Sequence, residues 1–107
     1  MQPDDLIHLD DLDPRRSHKT RRRRLLSQNG GRCFFCDSPN AQTLDHLIPK
    51  ARGGTEHDAN LVPSCGRDNQ SKGCEDAVVW LRRQRFYTPE KEHQVRDRLA
   101  WAREWVG

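Results

Sequence analysis

The chain has 107 residues, of which only 20 are Leu, Ile, Val or Phe. So few apolar residues would indicate disorder if the net charge were high, but the formal net charge is only +3. A single small domain of this composition needs a disulfide bond, a bound metal ion or a partner in addition to its core, and the chain has four cysteines that can provide one of the first two. The mean hydropathy of −1.07 excludes a membrane span. The acidic N-terminus has no apolar signal region, so we expect a cytoplasmic protein with reduced, metal-binding thiols.

The first 32 residues carry two charge blocks of opposite sign. Residues 1–13 hold five aspartates and no basic residue, which predicts a flexible acidic arm. Residues 14–32 hold eight basic residues and no acid. Good helix formers followed by Asn-Gly-Gly predict a basic helix within residues 14–30, from about Ser17 to Gln28. The planar guanidinium of arginine binds phosphate through two N–H groups, so we expect nucleic-acid contacts from this helix, with a solvated helix face as the alternative. The candidates are Arg21, Arg22, Arg23 and Arg24.

The middle of the chain predicts two short strands and a helix. Alternation indicates a strand over Thr43–Ile48, and a polar, glycine-containing loop follows, with His57 as an exposed loop residue. A second strand is expected over 60–62, ended by Pro63. A helix should then begin near Cys65 and carry Asn69.

Two helical stretches are expected in the last third of the chain. The first covers Glu75 to about Phe86, with Gly73 dividing it from the preceding helix. The second lies within residues 88–106, because Thr88-Pro89-Glu90 combines an N-cap, a proline at N1 and an acid in the first turn. Its apolar stripe is formed by Val95, Leu99, Ala102 and Val106.

The cysteine spacing predicts a structural zinc site. Cys33 and Cys36 are separated by two residues, so both thiolates can reach one tetrahedral ion from a tight turn. Cys65 is the third ligand. The fourth is Asp68 or Cys74, and we favour Asp68 because a helix over 66–74 would carry Cys74 about 12 Å along its axis. An all-cysteine site that includes Cys74 stays open.

Five polar residues are suited to phosphodiester chemistry. They lie between the Cys33–Cys36 turn, a zinc knuckle, and the end of the helix that is predicted to begin near Cys65. If the two strands pair beneath the helix, Asp45 and Asn69 could offer oxygen ligands to a divalent cation. His46 could then take a proton from water, since its ordinary pKa lies near neutrality. Lys72 could contact a phosphate. Taken singly, each has an ordinary explanation: a surface Asp-His pair, turn or cap asparagines at 60 and 69, and a solvated lysine.

The order of these motifs closely resembles the HNH endonucleases, in particular their small zinc-stapled, phage-type branch. The resemblance covers about residues 24–82. The only departure in the motifs is an aspartate, Asp68, where the second knuckle usually has its second cysteine. The motifs that carry the resemblance are Cys33-x2-Cys36, Leu44-Asp45-His46-Leu47-Ile48-Pro49, Gly53-Gly54, Asn60-Leu61-Val62-Pro63 and Cys65-x2-Asp68-Asn69-x2-Lys72-Gly73.

The resemblance implies an α+β fold: a ββα-metal module with structural zinc, placed at residues 31–86 and flanked by N-terminal and C-terminal helices. It implies that His46 is the general base and that Asp45 and Asn69 bind a catalytic Mg²⁺ or Mn²⁺. Asn60 would brace the loop and orient His46. The implied activity is cleavage of DNA phosphodiester bonds.

Two other functions are compatible with parts of the sequence. A non-catalytic zinc-knuckle module would also use the cysteines and arginines to bind DNA. A protein adaptor in phage packaging would instead bind terminase or another packaging protein. Neither of these needs the combination of catalytic residues, so the endonuclease is the preferred interpretation. The residues that distinguish the endonuclease from both alternatives are Asp45, His46, Asn60 and Asn69.

Overall fold

A computed structural model describes residues 14–39 and 41–106, with side chains in the first helix from residue 19 onward. The predicted acidic arm at 1–13 lies outside these residues. No helix among them is long and apolar enough to cross a membrane. Three short 3₁₀ turns, Gln28–Gly31, Lys50–Arg52 and Asp58–Asn60, join the regular elements. These elements are α1 (Pro14–Leu26), β1 (Thr43–His46), β2 (Leu61–Ser64), α2 (Gly66–Lys72), α3 (Ala77–Leu81) and α4 (Pro89–Arg103).

The two strands form an antiparallel hairpin in which Asp45 lies opposite Val62 and Leu44 opposite Pro63. The expectation that Pro63 ends the second strand is therefore wrong. Proline lacks only its N–H, which is tolerated on an edge strand, and its carbonyl accepts the Phe34 N–H at 2.8 Å. The strand begins one residue later than predicted, which leaves Asn60 in the preceding 3₁₀ turn.

Helix α2 begins and ends as predicted. Cys65 is its N-cap, and the Cys65 Sγ accepts the Asp68 N–H at 3.4 Å. Gly73 ends the helix with a φ of 51°, a conformation that favours glycine. The hairpin followed by α2 gives a ββα order at the centre of the chain.

Helix α3 is much shorter than the predicted Glu75–Phe86. The Asp76 side chain caps it by accepting the N–H groups of Val78 and Val79 at 3.0 and 3.1 Å. At its other end the Gln84 side chain donates to the Trp80 carbonyl at 2.8 Å. Tighter backbone bonds of the i to i+3 kind follow, so the last carbonyls are satisfied without a further α-helical turn.

Helix α4 has the predicted start, since the Thr88 hydroxyl accepts the Lys91 N–H at 3.0 Å. It ends at Arg103 instead of near Trp105. Three of the four predicted stripe residues are buried, namely Val95, Leu99 and Ala102. Val106 lies beyond the helix end and is 42% exposed, so its assignment to the buried stripe is wrong.

The core lies between the hairpin, α3 and α4. Phe35, from the first cysteine turn, meets Trp80 of α3 edge to face at 5.2 Å between ring centroids. Leu47 and Leu81 are fully buried in the same cluster. Two members of this core are cysteines of the predicted zinc site, Cys33 and Cys65, so the candidate metal ligands pack directly into the core.

Candidate metal centre and active site

Three thiols and one carboxylate converge where the first cysteine turn meets the start of α2. The ligand atoms of Cys33, Cys36, Cys65 and Asp68 all lie within 4.8 Å of one another. The Cys36 and Cys65 sulfurs are 3.8 Å apart, and the Cys33 Sγ is 3.2 Å from the Asp68 Oδ2. A tetrahedral ion with zinc–sulfur bonds of about 2.3 Å would place two sulfurs about 3.8 Å apart. The cluster therefore has dimensions suited to a metal ion.

The fourth position of the cluster is occupied by Asp68, as the sequence predicts. Residues three apart on a helix face the same side, so one turn of α2 brings Cys65 and Asp68 together. Cys74 lies beyond the end of α2, is exposed, and is not among the clustered ligands. The alternative all-cysteine set is therefore not the one that the fold assembles.

Burial disfavours ionised thiols in this cluster. It raises the pKa of Cys33 to about 12 and also raises the pKa of Cys36. A bound cation opposes this effect, because it stabilises the thiolates directly. Three soft thiols and one carboxylate, closely spaced, are a ligand set that zinc accepts, so the residues present fit a metal ion.

A second polar site lies at the other end of α2, where Asp45 of β1 meets Lys72. The Lys72 side chain is 0% exposed and the Asp45 side chain 7%, and the Nζ lies 3.2 Å from Oδ2. The Lys72 Nζ donates to the other carboxylate oxygen, Oδ1, at 3.4 Å, while the buried Oδ2 accepts no hydrogen bond within the described residues. Burial raises the pKa of Asp45, and the Lys72 charge partly opposes the shift. An unsatisfied, buried carboxylate oxygen is a suitable ligand for a divalent cation.

The structure corrects the expectation that Lys72 contacts phosphate or solvent. Its ammonium is buried and also donates to the His46 carbonyl at 3.2 Å. One turn earlier on the same helix, the Asn69 amide donates to the Thr43 hydroxyl at 3.2 Å. Asp45 and Asn69 thus lie on the facing surfaces of β1 and α2, but each is bonded to a different partner.

The His46 ring is held by an acidic residue that sequence reasoning missed. Its Nε2 lies 2.6 Å from the Glu56 Oε1, and the Lys50 ammonium lies 2.7 Å from the same oxygen. The hydrogen bond from Lys50, followed by that from His46, lowers the pKa of Glu56. No sequence spacing links Glu56 to His46, because the loop conformation alone brings the two together.

Asn60 ties the ends of this loop together. Its Oδ1 accepts the Ile48 N–H at 2.7 Å, while its Nδ2 donates to the carbonyls of Ile48 and Thr55 at 3.0 and 2.9 Å. The side chain has the contacts expected of a brace, and its catalytic role stays a prediction. Gly54 is required at the same place, because a Cβ there would lie 1.6 Å from the Ile48 carbonyl oxygen.

The basic helix α1 lies against this loop. Arg21 and Arg24 pair with the two carboxylate oxygens of Asp58 at 2.7 and 2.9 Å. Arg22 donates to the Gln42 carbonyl at 2.8 Å but remains exposed, as does Arg23. The four arginines are therefore not equivalent, since two of them fasten α1 to the loop.

His57 is not the exposed loop residue that the sequence predicts. Its ring stacks on Trp105, with centroids 3.8 Å apart and planes 6° apart. The Nδ1 accepts the Ala59 N–H at 3.0 Å, which caps the following 3₁₀ turn. The residue thus connects the loop to the segment that follows α4.

An antiparallel hairpin followed by a short helix, with a Cys₃Asp cluster beside it, is compatible with a ββα-metal module. Residues 33–75 match the HNH endonuclease family, and through this segment the protein belongs to that family. The chain is also 33% identical, over 78 residues, to the CRISPR-associated endonuclease Cas9 of Corynebacterium diphtheriae. That match covers 69% of the chain but only 7% of the length of Cas9. No solved structure matches the chain significantly.

Proposed function

We propose that the protein is a metal-dependent endonuclease that hydrolyses DNA phosphodiester bonds. The observation that carries the proposal is the buried Asp45 carboxylate with an unsatisfied oxygen, next in sequence to a partly exposed histidine, His46. Membership of the HNH endonuclease family supports it. Asp45 and Asn69 would hold a Mg²⁺ or Mn²⁺ ion, and such an ion stabilises negative charge on the scissile phosphate and its leaving oxygen.

His46 would act as the general base. When the Nε2 of His46 carries the proton, it donates to the Glu56 Oε1. The lone pair on Nδ1 is then free to accept a proton from the attacking water. Glu56 then faces the imidazolium that forms and stabilises its charge. Asn60 keeps the backbone on both sides of this pair in place, because it binds Ile48 and Thr55.

The Cys₃Asp cluster would hold the structural zinc. Three cysteines and one aspartate give four ligands, which leaves no open position for substrate. Its contribution would be to fix the start of α2 and, through the helix, the positions of Asn69 and Lys72.

The DNA backbone would be bound by the exposed face of α1, chiefly through Arg22 and Arg23. Arg21 and Arg24 would contribute less, because DNA would have to compete with Asp58 for them. A terminase or another phage packaging protein as partner stays a prediction, on which neither the contacts nor the relatives bear.

A plasmid-nicking assay tests the activity. We expect supercoiled DNA to be cut with Mg²⁺ or Mn²⁺, not to be cut with EDTA, and to be cut again when excess ion is restored. His46→Ala should lower the rate by about 10²–10⁴ and keep the fold. His93→Ala is the matched control, because His93 is 78% exposed on α4.

Comparison of Asp45→Ala with His46→Ala distinguishes loss of a metal ligand from loss of the general base. Asp45→Ala should lose cleavage but regain part of it at high Mn²⁺, whereas His46→Ala should not respond to the ion. Circular dichroism must show that Asp45→Ala is folded, because the variant also leaves the buried Lys72 ammonium without its carboxylate. Wild-type cleavage by His46→Ala at any ion concentration would contradict both the role of His46 and the proposed function.

A further inference from the structure

Helix α4 lies outside the segment that matches the HNH family, yet one of its side chains enters the active-site hairpin. The Arg98 Nε donates to the Ala59 carbonyl at 2.8 Å, and its Nη2 donates to the carbonyls of Asp58 and Leu61 at 3.1 Å each. Its Nη1 donates to the Gln28 Oε1 at 2.8 Å. A single guanidinium therefore binds backbone on both sides of Asn60.

We propose that Arg98 is a positioning residue for the nuclease reaction, holding Asn60 and through it the segment that carries His46. The inference rests on the proposed function for its effect on cleavage. Its structural part concerns the hydrogen bonds of Asn60 and can be measured without any activity.

A short series of contacts connects Arg98 to His46. Arg98 fixes the 3₁₀ turn that ends at Asn60, and the Asn60 amide binds the backbone of Ile48 and Thr55. Ile48 lies two residues after His46, and Thr55 directly precedes Glu56, the partner of the His46 ring. Displacement of the turn would therefore move both the histidine and the carboxylate that orients it.

The arrangement requires an arginine. Three nitrogens in a rigid plane reach four acceptors at once, whereas a lysine ammonium is a single point charge. The guanidinium also lies 4.8 Å from the centroid of the Trp101 ring, which restricts its orientation. Burial lowers the pKa of Arg98, in keeping with a group surrounded by protein.

The test compares Arg98→Lys with Arg96→Lys by hydrogen exchange in the zinc-loaded protein. Arg96 is the matched control, because it lies on the same helix, is 54% exposed and pairs with Glu92. We expect the Ile48 amide, which donates to Asn60, to exchange at least tenfold faster in Arg98→Lys than in the wild type. The Trp80 amide, which donates to Asp76 in α3, should change far less. Arg96→Lys should leave both amides unchanged.

Cleavage kinetics provide the second measurement. Arg98→Lys should lower kcat at least tenfold and leave KM for plasmid DNA unchanged, because the DNA-binding arginines are not affected. Unchanged Ile48 exchange, or equal acceleration of the Ile48 and Trp80 amides, would overturn the inference, since the second result indicates only global destabilisation. If the wild type does not cleave, the proposed function fails, while the exchange data still decide the role of Arg98.

A second variant covers the case in which Arg98→Lys does not fold. Gln28→Leu removes one acceptor of the guanidinium, together with the hydrogen bonds that Gln28 donates to the Leu25 and Leu61 carbonyls, and leaves the carbonyl contacts of Arg98 in place. We expect a smaller but still selective acceleration at Ile48, of about threefold. Absence of any selective change there would also overturn the inference.

Discussion

The polar sites at the two ends of helix α2 differ in whether they contain a positively charged side chain. At its start, Cys65 and Asp68 join two further thiols, and none of these four groups carries a positive charge. At its end, Lys72 places a buried ammonium against the Asp45 carboxylate. The first site needs an external cation to favour its ionised form, whereas the second contains a cation of its own. We infer that the fold depends on metal at one end of the helix and not at the other.

The same short helix connects the two sites. Asp68 of the cluster and Asn69 of the proposed catalytic site are adjacent residues on α2. Their side chains leave the helix about 100° apart, so a single helix orientation serves both sites. Loss of the cluster should therefore disturb the far end of α2.

The largest effect is expected from Cys33→Ser, which removes a ligand at the metal-dependent end. Structural zinc contributes on the order of 10–16 kcal/mol of apparent binding free energy, more than so small a core can replace. We expect loss of bound zinc by elemental analysis and loss of helical signal by circular dichroism.

Cys74→Ser is the matched control, because Cys74 is exposed and outside the cluster. It should retain one zinc ion and the wild-type spectrum. Loss of zinc in this variant would show that the cluster is assigned wrongly.

Lys72→Met tests the opposite end and should have the next largest effect. Removal of one partner of a buried ion pair leaves an uncompensated charge, which costs about 3–5 kcal/mol of unfolding free energy. Denaturant titration should show this loss, and Mn²⁺ should reduce it by supplying positive charge near Asp45. Adding Asp45→Asn should recover stability, since no buried charge then remains.

Lys50→Met is the control for Lys72→Met. Lys50 also pairs with a carboxylate, that of Glu56, but its side chain is 66% exposed. Its loss should change the unfolding free energy by less than about 1 kcal/mol. Equal effects of the two variants would mean that Asp45 does not depend on Lys72.

The double variant Arg22→Gln/Arg23→Gln should weaken DNA binding without affecting either end of α2. Each lost phosphate contact makes the slope of log affinity against log salt concentration shallower by about 0.9, so we expect a change of about 1.8. Fluorescence anisotropy with a labelled duplex measures the slope. Arg85→Gln, also an exposed arginine, is the control and should leave the slope unchanged. An unchanged slope in the double variant would mean that Arg22 and Arg23 do not contact DNA and that another surface binds it.

The smallest effect concerns acid stability at Asp58. Hydrogen bonds from Arg24 and then Arg21 lower the pKa of Asp58. A carboxyl whose pKa is lower in the folded state stabilises the fold above its unfolded pKa of about 3.9, and this contribution is lost as the pH falls further. Asp58→Asn should therefore flatten the decline of stability below about pH 4, by less than about 1 kcal/mol for so exposed a pair. Urea titrations at a series of pH values measure it, and an identical slope in both proteins would contradict the prediction.

The sequence predicts the order of the elements, several of their ends and the grouping of the cysteines with Asp68, because these features have local causes. The cysteine spacing, Thr88-Pro89 and Gly73 act within a few residues, so the turn, the start of α4 and the end of α2 follow from them. Asp68, rather than Cys74, lies in the cluster because it is one helical turn after Cys65, whereas α2 ends at Lys72 before it reaches Cys74. Its role as a zinc ligand stays a prediction.

The contacts of the candidate active site could not be predicted, because they depend on groups brought together by the fold. The burial of Lys72 and its pairing with Asp45 require the exact approach of α2 to β1. The pairing of Glu56 with His46 depends on the path of a loop. Arg98 lies 38 residues after Asn60 in the sequence, and nothing near it in the sequence indicates a contact with the hairpin.

The close contact at Gly54 has a practical consequence for engineering. The gap between its α-carbon and the Ile48 carbonyl is too small for a methyl group, and the Asn60 amide closes the same space. Alanine at 54 must push the ends of the connection apart, although the loop lies near the surface. Extra residues inserted at position 54 should therefore displace the Ile48 carbonyl or the Asn60 amide. An affinity tag inserted beside Gly30 meets no neighbour within 4 Å, provided that Gly30 itself, with its φ of 63°, stays glycine.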